Sequence, residues 1–217
     1  MNILAFLCLI ISVGCTLTFS LLKLRKPLCI ARMTTAPALL FCFVCMNGAQ
    51  SNMWIVGALI FGTVYNTLAC FPKVPTPLRQ LAFACSVIFY GIAFYEADLW
   101  MLVAPHINFV FVLFFFTLLM VVYLSVHAWL SKDEIVSTLI LLLFNGMFAA
   151  FGGIGMFHSF TLGSVLMFLG GLFNFFYYVF KLYRTRRYEE TRFTEFELLA
   201  IFITSRILLV FGFQLTL

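Results

Sequence analysis

One arginine stands where a charge is hardest to keep. Arg206, in FITSRILL, is the only charged residue after Glu197 in an otherwise apolar stretch. A guanidinium at the centre of a bilayer-spanning helix costs about 2.5–3.5 kcal/mol on insertion scales. Its nearest charged edge is roughly 13 Å away, a long reach for a snorkelling side chain. The eight acids, Glu96, Asp98, Asp133, Glu134, Glu189, Glu190, Glu195 and Glu197, all lie at the edges of apolar stretches or between them. Arg206 therefore calls for a neutral polar surround, a water-filled cavity or the phosphate of a bound lipid. The chemistry it suits is holding an anion. The neutral polar residues within apolar stretches are Asn66 and Thr67, Ser86 and Tyr90, Asn145, Ser164 and Asn174, and Thr204 and Ser205. Groups of this kind hydrogen-bond between helices for about 0.6 kcal/mol on average. Arg206, Tyr90, Ser86 and Asn174 are the substrate-binding candidates among them.

Residues for proton transfer or metal binding are poorly placed. His106 and His127 flank one apolar stretch and His158 precedes another, so no nucleophile–base pair is visible. HExxH, GxSxG and phosphate-cradling glycine loops are absent. The seven cysteines all lie in the first half of the chain, mainly in apolar runs, with no histidine at zinc spacing. They read as small buried hydrophobes. No metal and no cofactor is expected.

The elements that must position these residues follow from composition. The 217 residues are 64% hydrophobic and 10% charged, whereas soluble domains are roughly half apolar and a quarter charged. Such a chain needs the bilayer as solvent. Its runs reach about 20 residues, the length of a spanning helix, and do not alternate as barrel strands do. The expected fold is all-α, a polytopic membrane bundle of eight transmembrane helices forming one domain over residues 1–217. Charges, prolines and glycines place the spans at about 3–22, 34–47, 53–71, 81–95, 107–130, 135–151, 162–183 and 196–213. NGAQSN (Asn47–Asn52) reads as a tight turn, PKVPTPLR (Pro72–Arg79) as a proline-rich connection and GGIG (Gly152–Gly155) as a break. Gly163, Gly170 and Gly171 in the seventh span suit close approach by a neighbouring helix. The first run lacks a charged region before it and reads as a retained helix rather than a signal peptide.

Basic residues divide by side. The loops after spans 1, 3, 5 and 7 carry Lys23, Arg25, Lys26, Arg32, Lys73, Arg79, Lys132, Lys181, Arg184, Arg186, Arg187 and Arg192; the other loops carry none. The positive-inside rule then puts the odd-numbered loops in the cytosol and both chain ends on the other side. The net charge of +5 reflects this topology and anionic headgroups, with no role for nucleic acid. A span as short as 34–47 suits a thin bilayer such as the endoplasmic reticulum.

The order of features resembles the YhhN family of lysoplasmalogenase-like proteins, which have eight short spans in just over 200 residues. In that family a K-P-L-T-like stretch opens helix 2, G-D-x-L-x-x-x-P ends helix 3, helix 4 carries S-H-x-x-Y and helix 7 carries G-A-x-x-x-F-x-x-S-D. A Y-x-x-Q-x-L-I-like stretch lies in helix 8. Here RMTT (Arg32–Thr35) resembles the first. YNTLACFP keeps Leu68 and Pro72 of the second, and SVIFY keeps Ser86 and Tyr90 of the third. GSVLMFLGG keeps Gly163 and Phe168 of the fourth, and FITSRILL lies where the last would be. The likeness covers nearly the whole chain in architecture and scattered positions in identity.

The resemblance implies hydrolysis of the vinyl-ether bond of lysoplasmalogens, with a lysophospholipid or membrane lipid as partner. That reaction needs a proton donor to the enol-ether carbon and a base for water. The family's helix 3 aspartate falls on Asn66, its helix 4 histidine on Val87, its helix 7 aspartate on Gly171, and the polar position of helix 8 on Arg206. The resemblance thus implies a lysolipid site with Asn66 at the catalytic aspartate's position and the acid–base groups replaced. A non-catalytic lipid-binding or transport-type protein is the alternative.

Overall fold

The computed structural model describes the backbone of residues 3–48, 51–71, 73–96, 105–130, 132–158, 160–187 and 192–216. Among them are eight α-helices and no strand: α1 Ile3–Leu21, α2 Arg25–Asn47, α3 Met53–Cys70, α4 Thr76–Glu96, α5 Pro105–Val126, α6 Lys132–His158, α7 Leu162–Arg187 and α8 Arg192–Thr216. A 3-10 turn, His127–Trp129, follows α5. Seven of the helices are long and apolar enough to cross a membrane. In α5 the apolar stretch is Phe109–Ser125, about 25 Å long. The fold is that of a helical, multi-pass membrane protein.

Helix ends differ from expectation where a charge or a glycine lies within a helix rather than at its edge. The second helix begins at Arg25, nine residues before the expected start, and carries Arg25 and Arg32 on its own backbone. Pro27 falls in its first turn, where no N–H partner is needed. Pro37 lies inside the helix without ending it, as transmembrane helices tolerate. At 23 residues, about 35 Å, this helix is not short, and the reason for a thin bilayer falls away. Thr76 opens α4 with Pro77 in its first turn, so the proline-rich connection is shorter than expected. The sixth helix runs through Gly152–Gly155 to His158, so GGIG does not break it. Gly48 (φ 57°) does end α2, and Asn52 caps α3 by accepting from the Trp54 and Ile55 N–H groups at 2.9 and 3.2 Å. The centre of the NGAQSN turn (residues 49 and 50), Pro72, Asp98 and residues 188–191 of the basic loop lie outside the described residues.

The chain divides into two compact units. The first is Met1–Tyr90 with Thr191–Ile203, the second Gly91–Glu190 with Thr204–Leu217. In the first unit α1 meets α2 through hydroxyls. Ser12 Oγ lies 2.9 Å from Thr34 Oγ1 and Thr16 Oγ1 lies 3.0 Å from Thr35 Oγ1. Ser12, Thr16 and Ser20 recur every fourth residue on the buried face of α1, the spacing that keeps them on one side of a helix. Aromatic rings fill the contact of α3 with α4, where Phe89 packs on Trp54 and Phe61 and Tyr65 on Phe83. In the second unit, Phe94 packs against Phe148 and Phe213, and Phe115 and Phe175 enclose Ala149 and Ala150.

Candidate functional site: a polar layer at mid-depth

In the second unit α7 is approached on two faces, and glycine makes both approaches close. A Cβ on Gly170 would lie 2.9 Å from the Leu209 backbone nitrogen, and one on Gly212 would lie 2.8 Å from the Met167 nitrogen. On the other face, a Cβ on Gly152 would lie 3.1 Å from Phe168 Cα, and one on Gly171 would lie 3.2 Å from Ala149 Cα. These contacts are backbone to backbone, the packing small residues allow between membrane helices. They also explain why α6 stays helical through its glycines: α7 fills the space their side chains leave. Gly163, Gly170 and Gly171 thus play the part their spacing indicated.

Polar side chains gather where these helices meet. The Asn174 amide donates through Nδ2 to Asn145 Oδ1 at 2.5 Å, and Asn145 Nδ2 donates to the Leu141 carbonyl at 2.6 Å. Ser205 Oγ donates to the Gly170 carbonyl at 2.8 Å. Arg206 follows Ser205 on α8 and is 6% exposed. Asn174 is one turn beyond Gly170 on α7. Asn174 and Arg206 therefore lie within about one turn, or about 6 Å, of the Gly170 carbonyl in depth. The apolar windows of their helices run Leu162–Tyr183 and Glu195–Thr216, which places this layer near the middle of both. Asn174 is wholly buried, and its Oδ1 has no hydrogen-bond partner among the described residues. A buried acceptor left unpaired costs about 1–3 kcal/mol. The layer thus combines a buried cation with a free acceptor.

The first unit holds the remaining candidates but spreads them along α3. Ser86 is buried and donates to the Ala58 carbonyl at 2.8 Å. Antiparallel register is fixed by that bond and by the Phe89–Trp54 and Phe83–Tyr65 ring contacts. Ser86 Oγ also lies 3.7 Å from the place a Gly62 Cβ would take, so Asn66 lies about one turn, or about 6 Å, from Ser86 along the helix, and Tyr90 about one turn from Ser86 in the other direction. Asn66 is 3% exposed and its Oδ1 also has no partner among the described residues. Tyr90 is fully buried, and Val87 is buried as well. Asn66 and Tyr90 are thus about two turns apart in depth, whereas Asn174 and Arg206 share a layer.

Thr161 caps α7 with Ser164 as its reciprocal partner: Thr161 Oγ1 accepts from the Ser164 N–H at 3.2 Å, and Ser164 Oγ accepts from the Thr161 N–H at 3.0 Å. The hydroxyls of Ser12, Thr16, Thr34 and Thr35 form a further polar seam outside the candidate residues, signalled in the sequence only by the four-residue recurrence in α1. His127 is exposed at a helix end and its ring meets the Leu124 carbonyl at 3.3 Å. The side chains of His106 and His158 lie outside the described residues.

Comparison with protein-family models, with characterised proteins and with solved structures finds no match. The class defined by the fold, a multi-pass helical membrane protein with a polar layer at mid-depth in one unit, rests on the molecule itself.

Proposed function

We propose that this chain is a membrane protein of the YhhN, lysoplasmalogenase-like kind that binds a lysophospholipid without hydrolysing it. The observation that carries this reading is the polar layer, where buried Arg206 and the unpartnered Asn174 Oδ1 each lie within about one turn of the Gly170 carbonyl in depth. A lysophospholipid offers both complements a few bonds apart. Its phosphate oxygens accept from a guanidinium in charge-assisted hydrogen bonds, and its free glycerol hydroxyl donates to an amide oxygen. The acyl chain suits the apolar helices around the layer.

Three positions support the loss of chemistry. An amide at Asn66 keeps an acceptor but cannot deliver a proton at neutral pH. Val87 has no polar atom. Gly171 is closed by Ala149 Cα, 3.2 Å from where its Cβ would be, so an aspartate there would push α6 from α7. The partition of basic residues supports cytosolic odd-numbered loops, with both chain ends on the other side.

The test is aldehyde release from lysoplasmalogen by the purified protein. The expected result is no release above a protein-free control. Release that depends on the protein and disappears in Asn66→Ala would contradict the non-catalytic reading.

A further inference from the structure

Cys29 and Cys70 meet across α2 and α3. The Cys70 thiol donates to the Cys29 carbonyl at 3.5 Å, and the Cys29 thiol to the Cys70 carbonyl at 3.9 Å. Each thiol thus lies against the other cysteine's backbone, which brings the two residues into the neighbourhood a disulfide needs. Both residues are free thiols and only half-buried, whereas Cys42 is buried. Cys29 lies between Lys26 and Arg32, and Cys70 three residues before Lys73. The pair thus sits at the charged edge of its helices, where water-borne reagents reach. Cys70 is the last residue of α3, and Phe71 after it is extended (φ −103°, ψ 106°). The small movement that closes a sulfur–sulfur bond falls on a helix end, where the backbone yields most easily.

From these contacts we infer that Cys29 and Cys70 are a modification site, a thiol pair that a small disulfide such as oxidised glutathione converts to a disulfide joining α2 to α3. One cysteine sulfur loses its proton to solvent, attacks the oxidant's sulfur–sulfur bond and releases one glutathione thiolate. The second cysteine sulfur, also deprotonated, attacks the mixed disulfide and releases the other. Two protein thiols and one oxidant disulfide become one protein disulfide and two glutathione thiols, both electrons passing to glutathione. Asn66 lies one turn before Cys70 on α3, so the bond pins the end of the helix that carries it.

The experiment counts thiols in the full chain. Purified protein is treated with oxidised glutathione, denatured and reacted with a maleimide polymer that shifts the band once per free cysteine. Of the seven cysteines, two should become unreactive in the natural protein and in Cys42→Ser/Cys45→Ser, and both should return on reduction. Peptide mass spectrometry should find Cys29 joined to Cys70. Seven reactive thiols after oxidation of the natural protein would overturn the inference. So would a loss of two thiols that persists in Cys29→Ser/Cys70→Ser.

Discussion

Asn174 makes one described hydrogen bond, through Nδ2 to Asn145, and leaves its oxygen unused in a fully buried place. Changing either asparagine to leucine removes that bond and strands the other amide. Each single change should cost about 1–3 kcal/mol, and the double change less than the sum, because no polar group is then left behind. Denaturant or thermal unfolding of the four proteins in detergent measures the cycle; strict additivity would show that the two amides are not coupled. The identities of these residues were readable in the sequence, since an amide or a guanidinium in an apolar run is conspicuous. Arg206 was expected inside the bundle and is 6% exposed. Which polar residues share a layer was not readable. That depends on the register between α6, α7 and α8, and register is set by glycine contacts made between elements far apart in the chain.

At the scale of helices, those glycine contacts decide the packing of the second unit. A methyl group at Gly212 would meet the Met167 nitrogen at 2.8 Å and the Gly163 carbonyl oxygen at 2.9 Å. Neither is the tip of a flexible side chain, so α7 and α8 must part. Gly212→Ala should destabilise the protein by about 1–3 kcal/mol, the usual range for overpacking. Gly14→Ala, in α1 with nothing within 4 Å of its Cβ, should be neutral or slightly stabilising, because alanine is the better helix former. Thermal aggregation followed by fluorescence-detected size exclusion separates the two; equal melting would remove the close approach from the account. The eight-helix order was legible from charge and apolar runs alone. The ends of α2 and α6 were not. Charge marks a membrane edge only when it lies off the helix, and Arg25 and Arg32 lie on α2. Glycine marks a break only when nothing packs against it, and α7 packs against Gly152.

Across the whole molecule, the partition of basic residues predicts an orientation that can be checked directly. In a background with the native cysteines replaced by serine, a cysteine at Thr76, in the first turn of α4, should react with an impermeant maleimide only after the membrane is opened. One at Ser51, between α2 and α3, should react in intact cells. The reverse pattern would invert the topology. The class of the molecule followed from composition, because a chain with 64% hydrophobic residues has no soluble way to fold. Its chemistry was less legible, since binding and reaction depend on a handful of polar residues whose neighbours come from distant helices. In the proposed reading, Asn66, Val87 and Gly171 stand where hydrolysis would need an acid or a base, and Asn174 and Arg206 form the binding pair. The central claim is that the kept pair holds a lysophospholipid. Native mass spectrometry of the purified protein with added lysophosphatidylcholine tests it, comparing the natural sequence with Arg206→Ala and Asn174→Leu. The account predicts one retained lysolipid on the natural protein, with retention reduced at least tenfold in Arg206→Ala and less severely in Asn174→Leu. Equal retention by the natural protein and Arg206→Ala would contradict it.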